Sequence, residues 1–243
     1  MSGDVNDQLV LIGGISGSGK SASLRNIKNQ ERWGYFNCEA GKRLPFKNQF
    51  QVFRIDDPYQ VLEGFDHFIE TPGLSDGLII DSSTFLMDML ETMYVSNAAN
   101  GQKAWGDFAG FFKTLMQQKV VTYGKPVIIT AHVSEVLDEQ THMMKTSVPI
   151  KGSLKNNGIE AYFSTVVEAV KMPIKDLIPY ANDMLNVSEE DEELGFKHVF
   201  QTRITKATTG KRIRSPMGMF TKEQSYIDND CQILLEHLHE FYA

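Results

Sequence analysis

The chain has 243 residues, 42% of them hydrophobic, which suits one α/β domain with a full core. Its formal net charge of −7 argues against a uniformly basic, nonspecific nucleic-acid binder, although the local field decides such contacts. No long apolar run marks a membrane span, and the polar start, residues 1–8, lacks the pattern of a signal peptide, so a cytoplasmic location is expected.

The elements read as follows in chain order. Leu9-Val10-Leu11-Ile12 is a short apolar run ending in glycines and reads as a buried strand. A helix is expected over residues 21–29, a strand over 35–38 and an extended segment over 51–55. Asp56-Asp57-Pro58 has the chemistry of a helix start, with the helix running to Glu70. Residues 77–80 form the next buried strand, ending at Asp81. A helix over 85–95, a polar loop over 96–102, a helix over 105–121 and a strand over 126–131 follow. In the helix over 105–121, Phe108, Phe111, Phe112, Leu115 and Met116 share roughly one face. Strands alternating with helices give a parallel sheet with right-handed crossovers. The pattern then changes. Residues 166–170 and 198–205 read as strands without an intervening helix repeat, and 232–241 as a closing helix. The expected organisation is one domain over 1–243. Its core is 1–165, and an antiparallel extension over 166–243 carries an acidic insertion. That insertion, residues 183–193, holds six acids and no base and reads as a solvated loop. Cys38 and Cys231 form no CxxC pair and read as reduced, buried thiols.

Gly14-Ile15-Ser16-Gly17-Ser18-Gly19-Lys20-Ser21 fits GxxxxGK[ST]. Glycines let backbone N–H groups curl around phosphate oxygens, and a following helix points its positive end at the same place. Lys20 is expected to reach the β and γ phosphates of a nucleoside triphosphate, and Ser21 to hold Mg²⁺. Asp81, ending an apolar strand, supplies the carboxylate that holds the water shell of that ion; capping the next helix is a compatible role.

The run Tyr35-Phe36-Asn37-Cys38-Glu39-Ala40-Gly41-Lys42, the triplet Asp81-Ser82-Ser83, Thr130-Ala131-His132 and the late Tyr226-Ile227-Asp228-Asn229-Asp230 together resemble small, phage-encoded, core-only RecA-like ATPases linked to recombination and single-strand annealing. The resemblance implies a RecA-like fold, ATP with Mg²⁺ as ligands, and a location in the host cytoplasm. In RecA-type ATPases the water-activating glutamate ends the strand beside the phosphate-loop strand, which would make Glu39 the catalytic base. His132 would take the place of the γ-phosphate sensor, or be a structural histidine.

Two loops of such proteins face DNA, matched here by residues 96–107 and 133–158. The second carries Lys145, Lys151 and Lys155 among glycines and asparagines, which suits tracking of a single-stranded backbone; a solvated loop has the same composition. Trp105, in the first, suits the core better than a base-stacking platform. Arg203 and Lys206 belong to the strongest basic cluster, residues 203–214, and would act in trans on a neighbour's site, as an arginine finger does. A homo-oligomer is therefore expected, with single-stranded DNA as partner and a single-strand DNA-binding protein as a further one. Two other functions fit a phosphate loop: a small-molecule kinase, which needs a charge clamp over both substrates, and a nucleotide-dependent switch with little turnover.

Overall fold

The computed structural model describes residues 6–139, 142–155 and 157–243. Residues 1–5 of the polar start, and residues 140, 141 and 156 of the basic loop, lie outside it.

The chain begins with β1 (Leu9–Gly14) and passes through short 3-10 turns to β2 (Trp33–Asn37) and β3 (Gln51–Arg54). Then come α1 (Tyr59–Glu70), β4 (Gly77–Asp81), α2 (Ser83–Leu90), α3 (Gly101–Thr114), α4 (Val120–Tyr123) and β5 (Val127–His132). A hairpin, β6 (Ser134–Asp138) and β7 (Met143–Ser147), leads to β8 (Thr165–Pro173) and α5 (Ile174–Leu177). The chain closes with α6 (Glu189–Leu194), β9 (Phe196–Gln201), β10 (Tyr226–Asp228) and α7 (Cys231–Tyr242). The fold is thus α/β. An eight-stranded sheet of order β10-β9-β8-β1-β5-β4-β2-β3 runs parallel from β3 to β8 and antiparallel through β9 and β10.

Period-two alternation sorts the side chains of the central strands between two cores. Leu9 and Leu11 of β1, Leu78 and Ile80 of β4, and Val127 and Ile129 of β5 face α1, α2 and α3. Val10, Ile12, Ile79 and Ile128 face the other layer, where Leu24, Ile27 and α7 cover the sheet. Strands buried on both faces read as continuous apolar runs, as the sequence had them. All these strands deliver their carboxyl ends to one rim of the sheet, so a crevice forms where loops diverge on either side of β1.

Several expectations need correction. The helix expected over 21–29 is a 3-10 turn, Ser21–Asn26. Serine and asparagine are poor helix formers, the Ser23 hydroxyl bonds Lys20 O at 2.5 Å, and Asn29 turns left-handed at φ 53°. The helix dipole invoked for the phosphate site therefore has little length behind it. α3 starts at Gly101, inside the expected polar loop, so residues 101–107 of the first DNA-facing stretch are helical, as the helix expected from 105 already had it for 105–107, and most of 133–158 is the β6–β7 hairpin followed by 3-10 turns. The acidic insertion contains α6, started by a capping box in which Ser188 and Asp191 bond each other reciprocally. Strand β9 ends at Gln201, so Arg203 and Lys206 lie beyond it, in a turn tied by Gln201 to Arg203 O and Thr208 Oγ1. Trp105 packs on Phe108 against the core, and both cysteines are buried thiols. No helix among the described residues is long and apolar enough to cross a membrane.

Candidate functional site

A cleft of about 530 Å³ opens over the carboxyl end of β1. Its floor is the glycine loop, residues 14–21. Gly17 and Gly19 adopt φ of 76° and 103°, and a Cβ on Gly14 would lie 2.3 Å from Ser18 Oγ. The loop curls back on β1 only because these positions carry no side chain. Lys20 is buried and donates to Gly14 O and Ile15 O, both at 2.9 Å, so its ammonium is held over the loop. Burial pushes its pKa down, while Asp81 and Glu39 pull it up.

Ser21 Oγ donates to Asp81 Oδ2 at 2.9 Å. Asp81 is buried at the end of β4, where the Tyr35 hydroxyl also donates to Oδ2 at 2.8 Å and Thr130 Oγ1 to Oδ1. Three hydroxyls aimed at one carboxylate fix its position before any ligand arrives. Asp81 caps no helix, since Ser82 precedes α2. A hydroxyl and a carboxylate meeting beside a phosphate-type loop form the oxygen set that Mg²⁺ prefers.

Glu39 follows β2. Asn37 braces the turn there, accepting from Glu39 N at 3.0 Å and donating to Lys42 O at 2.8 Å. Ala40 and Gly41 are both left-handed, which folds Lys42 back onto Glu39 at 2.9 Å. The other carboxylate oxygen meets His132 Nε2 at 3.3 Å, and His132 ends β5. The hydrogen bond from His132, with Lys42 adding to it, holds Glu39 down at about 2. One expectation about Glu39 is corrected: β2 is not beside β1, because β5 and β4 lie between them. Glu39 still lines the cleft, together with Asp81 and His132.

The remaining residues separate. Arg203 is exposed, donates to Phe220 O at 3.1 Å and does not line the cleft of its own chain, nor does exposed Lys206. Lys151, paired with Glu91 at 2.8 Å, and Lys155 line a second cleft together with Arg212 and Thr84. Thr84 Oγ1 accepts from His132 N at 2.9 Å, so this cleft adjoins the end of β5. Lys145 sits on β7, outside it.

No protein-family model matches this chain, and no curated protein is similar to it.

The site also uses residues that the sequence reading passed over. Tyr35 is one. On the opposite flank, His198 Nδ1 meets Ser18 O at 2.8 Å, and Asn229 Nδ2 donates to Gly19 O at 2.9 Å. Lys197 reaches Asp191 at 3.0 Å and Asp228 at 3.3 Å. The antiparallel extension thus clamps the back of the glycine loop. The Ser188-x-x-Asp191 spacing was a readable capping signal for α6; His198 and Asn229 carry no local signal, because only the β8–β9–β10 register brings them to the loop.

Proposed function

We propose that this chain is a Mg²⁺-dependent ATPase of RecA type that works on single-stranded DNA in recombination or annealing. The observation that carries the reading is convergence: Lys20, Ser21, Asp81, Glu39 and His132, from four separate segments, line one cleft on the glycine loop. The glycine cradle and the buried Ser18 Oγ, which has no hydrogen-bond partner, fit a phosphate ligand. Ser21 and Asp81 would hold Mg²⁺, which supplies charge neutralisation at the phosphates. Lys20 binds the β and γ phosphates. Glu39 accepts a hydrogen bond from the attacking water and aligns it, and His132 links that carboxylate to the end of β5. The preference for ATP over other nucleoside triphosphates rests on the family resemblance.

The DNA assignment is supported by Lys151, Lys155 and Arg212 lining a cleft one hydrogen bond from His132. The oligomer is supported by Arg203 and Lys206 standing clear of their own chain's cleft, as groups acting in trans must. A kinase is disfavoured because Lys211 and Arg212, from the basic cluster after the core, do not line the glycine-loop cleft. The switch reading has one observation in its favour: a carboxylate held at about 2 is a weak proton acceptor. The test is ATP hydrolysis by wild type and Glu39→Gln, with and without single-stranded DNA, at several protein concentrations. Activity that rises with DNA and protein and collapses in Glu39→Gln is expected. Binding without turnover, indifferent to DNA, would leave the switch.

A further inference from the structure

The two flanks of the cleft differ in chemistry. Asp81, Glu39 and His132 come from β4, β2 and β5, all on one side of β1; Asp191, Lys197, His198 and Asn229 come from the extension on the other. The first flank carries the reacting end in the reading above, on which the present inference rests. The second must then face the nucleoside.

Its polar inventory is specific. Asp191 Oδ2 accepts from Ser188 N, Ser188 Oγ and Lys197 Nζ, at 3.0, 2.8 and 3.0 Å. All three donors use that one oxygen. Helix α6 therefore presents Asp191 in a fixed orientation, with Oδ1 free of these bonds, in the cleft wall. Asn229 is buried in the same flank, and its Oδ1 has no hydrogen-bond partner while its Nδ2 is committed to Gly19 O. Both surplus atoms are acceptors, whereas the cations of this flank are engaged, Lys197 by Asp191 and Asp228 and Arg25 by Ala22 O and Asn229 O. A phosphate oxygen only accepts and carries negative charge, so it gains nothing from them and is repelled by the carboxylate. What fits this flank is a neutral group that donates. In a nucleotide the sugar hydroxyls are such groups, and a carboxylate can take both from a vicinal pair.

We propose that Asp191, delivered by the acidic insertion, recognises the ribose diol of the bound nucleotide and makes the site selective for ribonucleotides over deoxyribonucleotides. The acidic run then has a purpose besides solubility: its capping box is the mount for a specificity-determining carboxylate.

The test is equilibrium binding of ATP, 2′-deoxy-ATP, 3′-deoxy-ATP and inorganic tripolyphosphate, each with Mg²⁺. Wild type needs no variant to be informative: loss of a hydroxyl bonded to a charged group should weaken affinity about tenfold or more. Asp191→Ala should lower ATP to the level of the deoxy analogues and leave tripolyphosphate unchanged. Ser188→Ala, which loosens the mount and keeps the carboxylate, should weaken discrimination without abolishing it, and so separates loss of the cap from loss of Asp191 itself. Equal binding of ATP and both deoxy analogues to wild type would overturn the proposal and leave the phosphate site intact. Undiminished discrimination in Asp191→Ala would overturn the assignment to Asp191. If neither ATP nor tripolyphosphate binds, the phosphate reading itself fails, a result distinct from the other two.

Discussion

Glu39 allows a quantitative prediction in which the sign of a pH effect is fixed in advance. Its carboxyl is held at about 2, against an ordinary value of 4.5, chiefly by the hydrogen bond to His132 and then by Lys42. A depressed folded-state value means stability that is fully present above the unfolded value of 4.5 and lost as pH falls toward 2. The full shift corresponds to about 3 kcal/mol, at about 1.4 kcal/mol per pH unit. The Lys42 side chain is 69% exposed, so solvent screening reduces the realised contribution to about 1 kcal/mol. Glu39→Gln should therefore be about 1 kcal/mol less stable than wild type at pH 7. Most of that difference should disappear by pH 3. Urea denaturation of both proteins between pH 7 and pH 3 measures it. A difference that stays constant across this range, or grows toward acid, would show that the Glu39 carboxylate is not held by His132 and Lys42. The same depression makes Glu39 an aligner of water more than a proton sink at neutral pH, since a general base works best near the operating pH. No acid limb of activity between pH 5 and 8 should be assignable to it.

Three further outcomes follow from the packing and the clefts. Ser21→Ala removes the hydroxyl that meets Asp81, and should cut the Mg²⁺-dependent part of ATP affinity about tenfold, read by titration with and without the ion. Phe36→Ala empties a position buried among Phe53, Phe65 and Phe68, and should cost about 3–5 kcal/mol in chemical denaturation. Replacing Lys151 and Lys155 by alanine should weaken single-stranded DNA binding and flatten its log–log salt dependence by about one per lysine, measured by fluorescence anisotropy. An unchanged slope would remove both lysines from the DNA path.

Legibility in the sequence followed the range of the interactions involved. The glycine loop and Asp81 were readable because a short motif on an apolar strand carries its own chemistry. The parallel core was readable because strands buried on both faces have no polar alternation to confuse them. Glu39 and His132 came only through resemblance: neither has a local signal, and their meeting depends on β2 and β5 lying on the two sides of β4. Tyr35 was hidden inside an apolar strand, where an aromatic reads as core, yet its hydroxyl is spent on Asp81. The acidic run misled because composition outweighed its capping box. The expected helix after Lys20 failed because its two serines and two asparagines favour turns.

Whether the glycine-loop cleft holds a magnesium–nucleoside triphosphate is decided by a calorimetric titration of the purified chain with ATP, with and without Mg²⁺, alongside Lys20→Ala. Lys20 is buried and anchored on the loop it serves, so its loss should abolish binding while the fold persists. One site per chain is expected, tightened by Mg²⁺ and lost in Lys20→Ala. Saturable binding that ignores both the ion and the lysine, or no binding by wild type, would contradict that expectation.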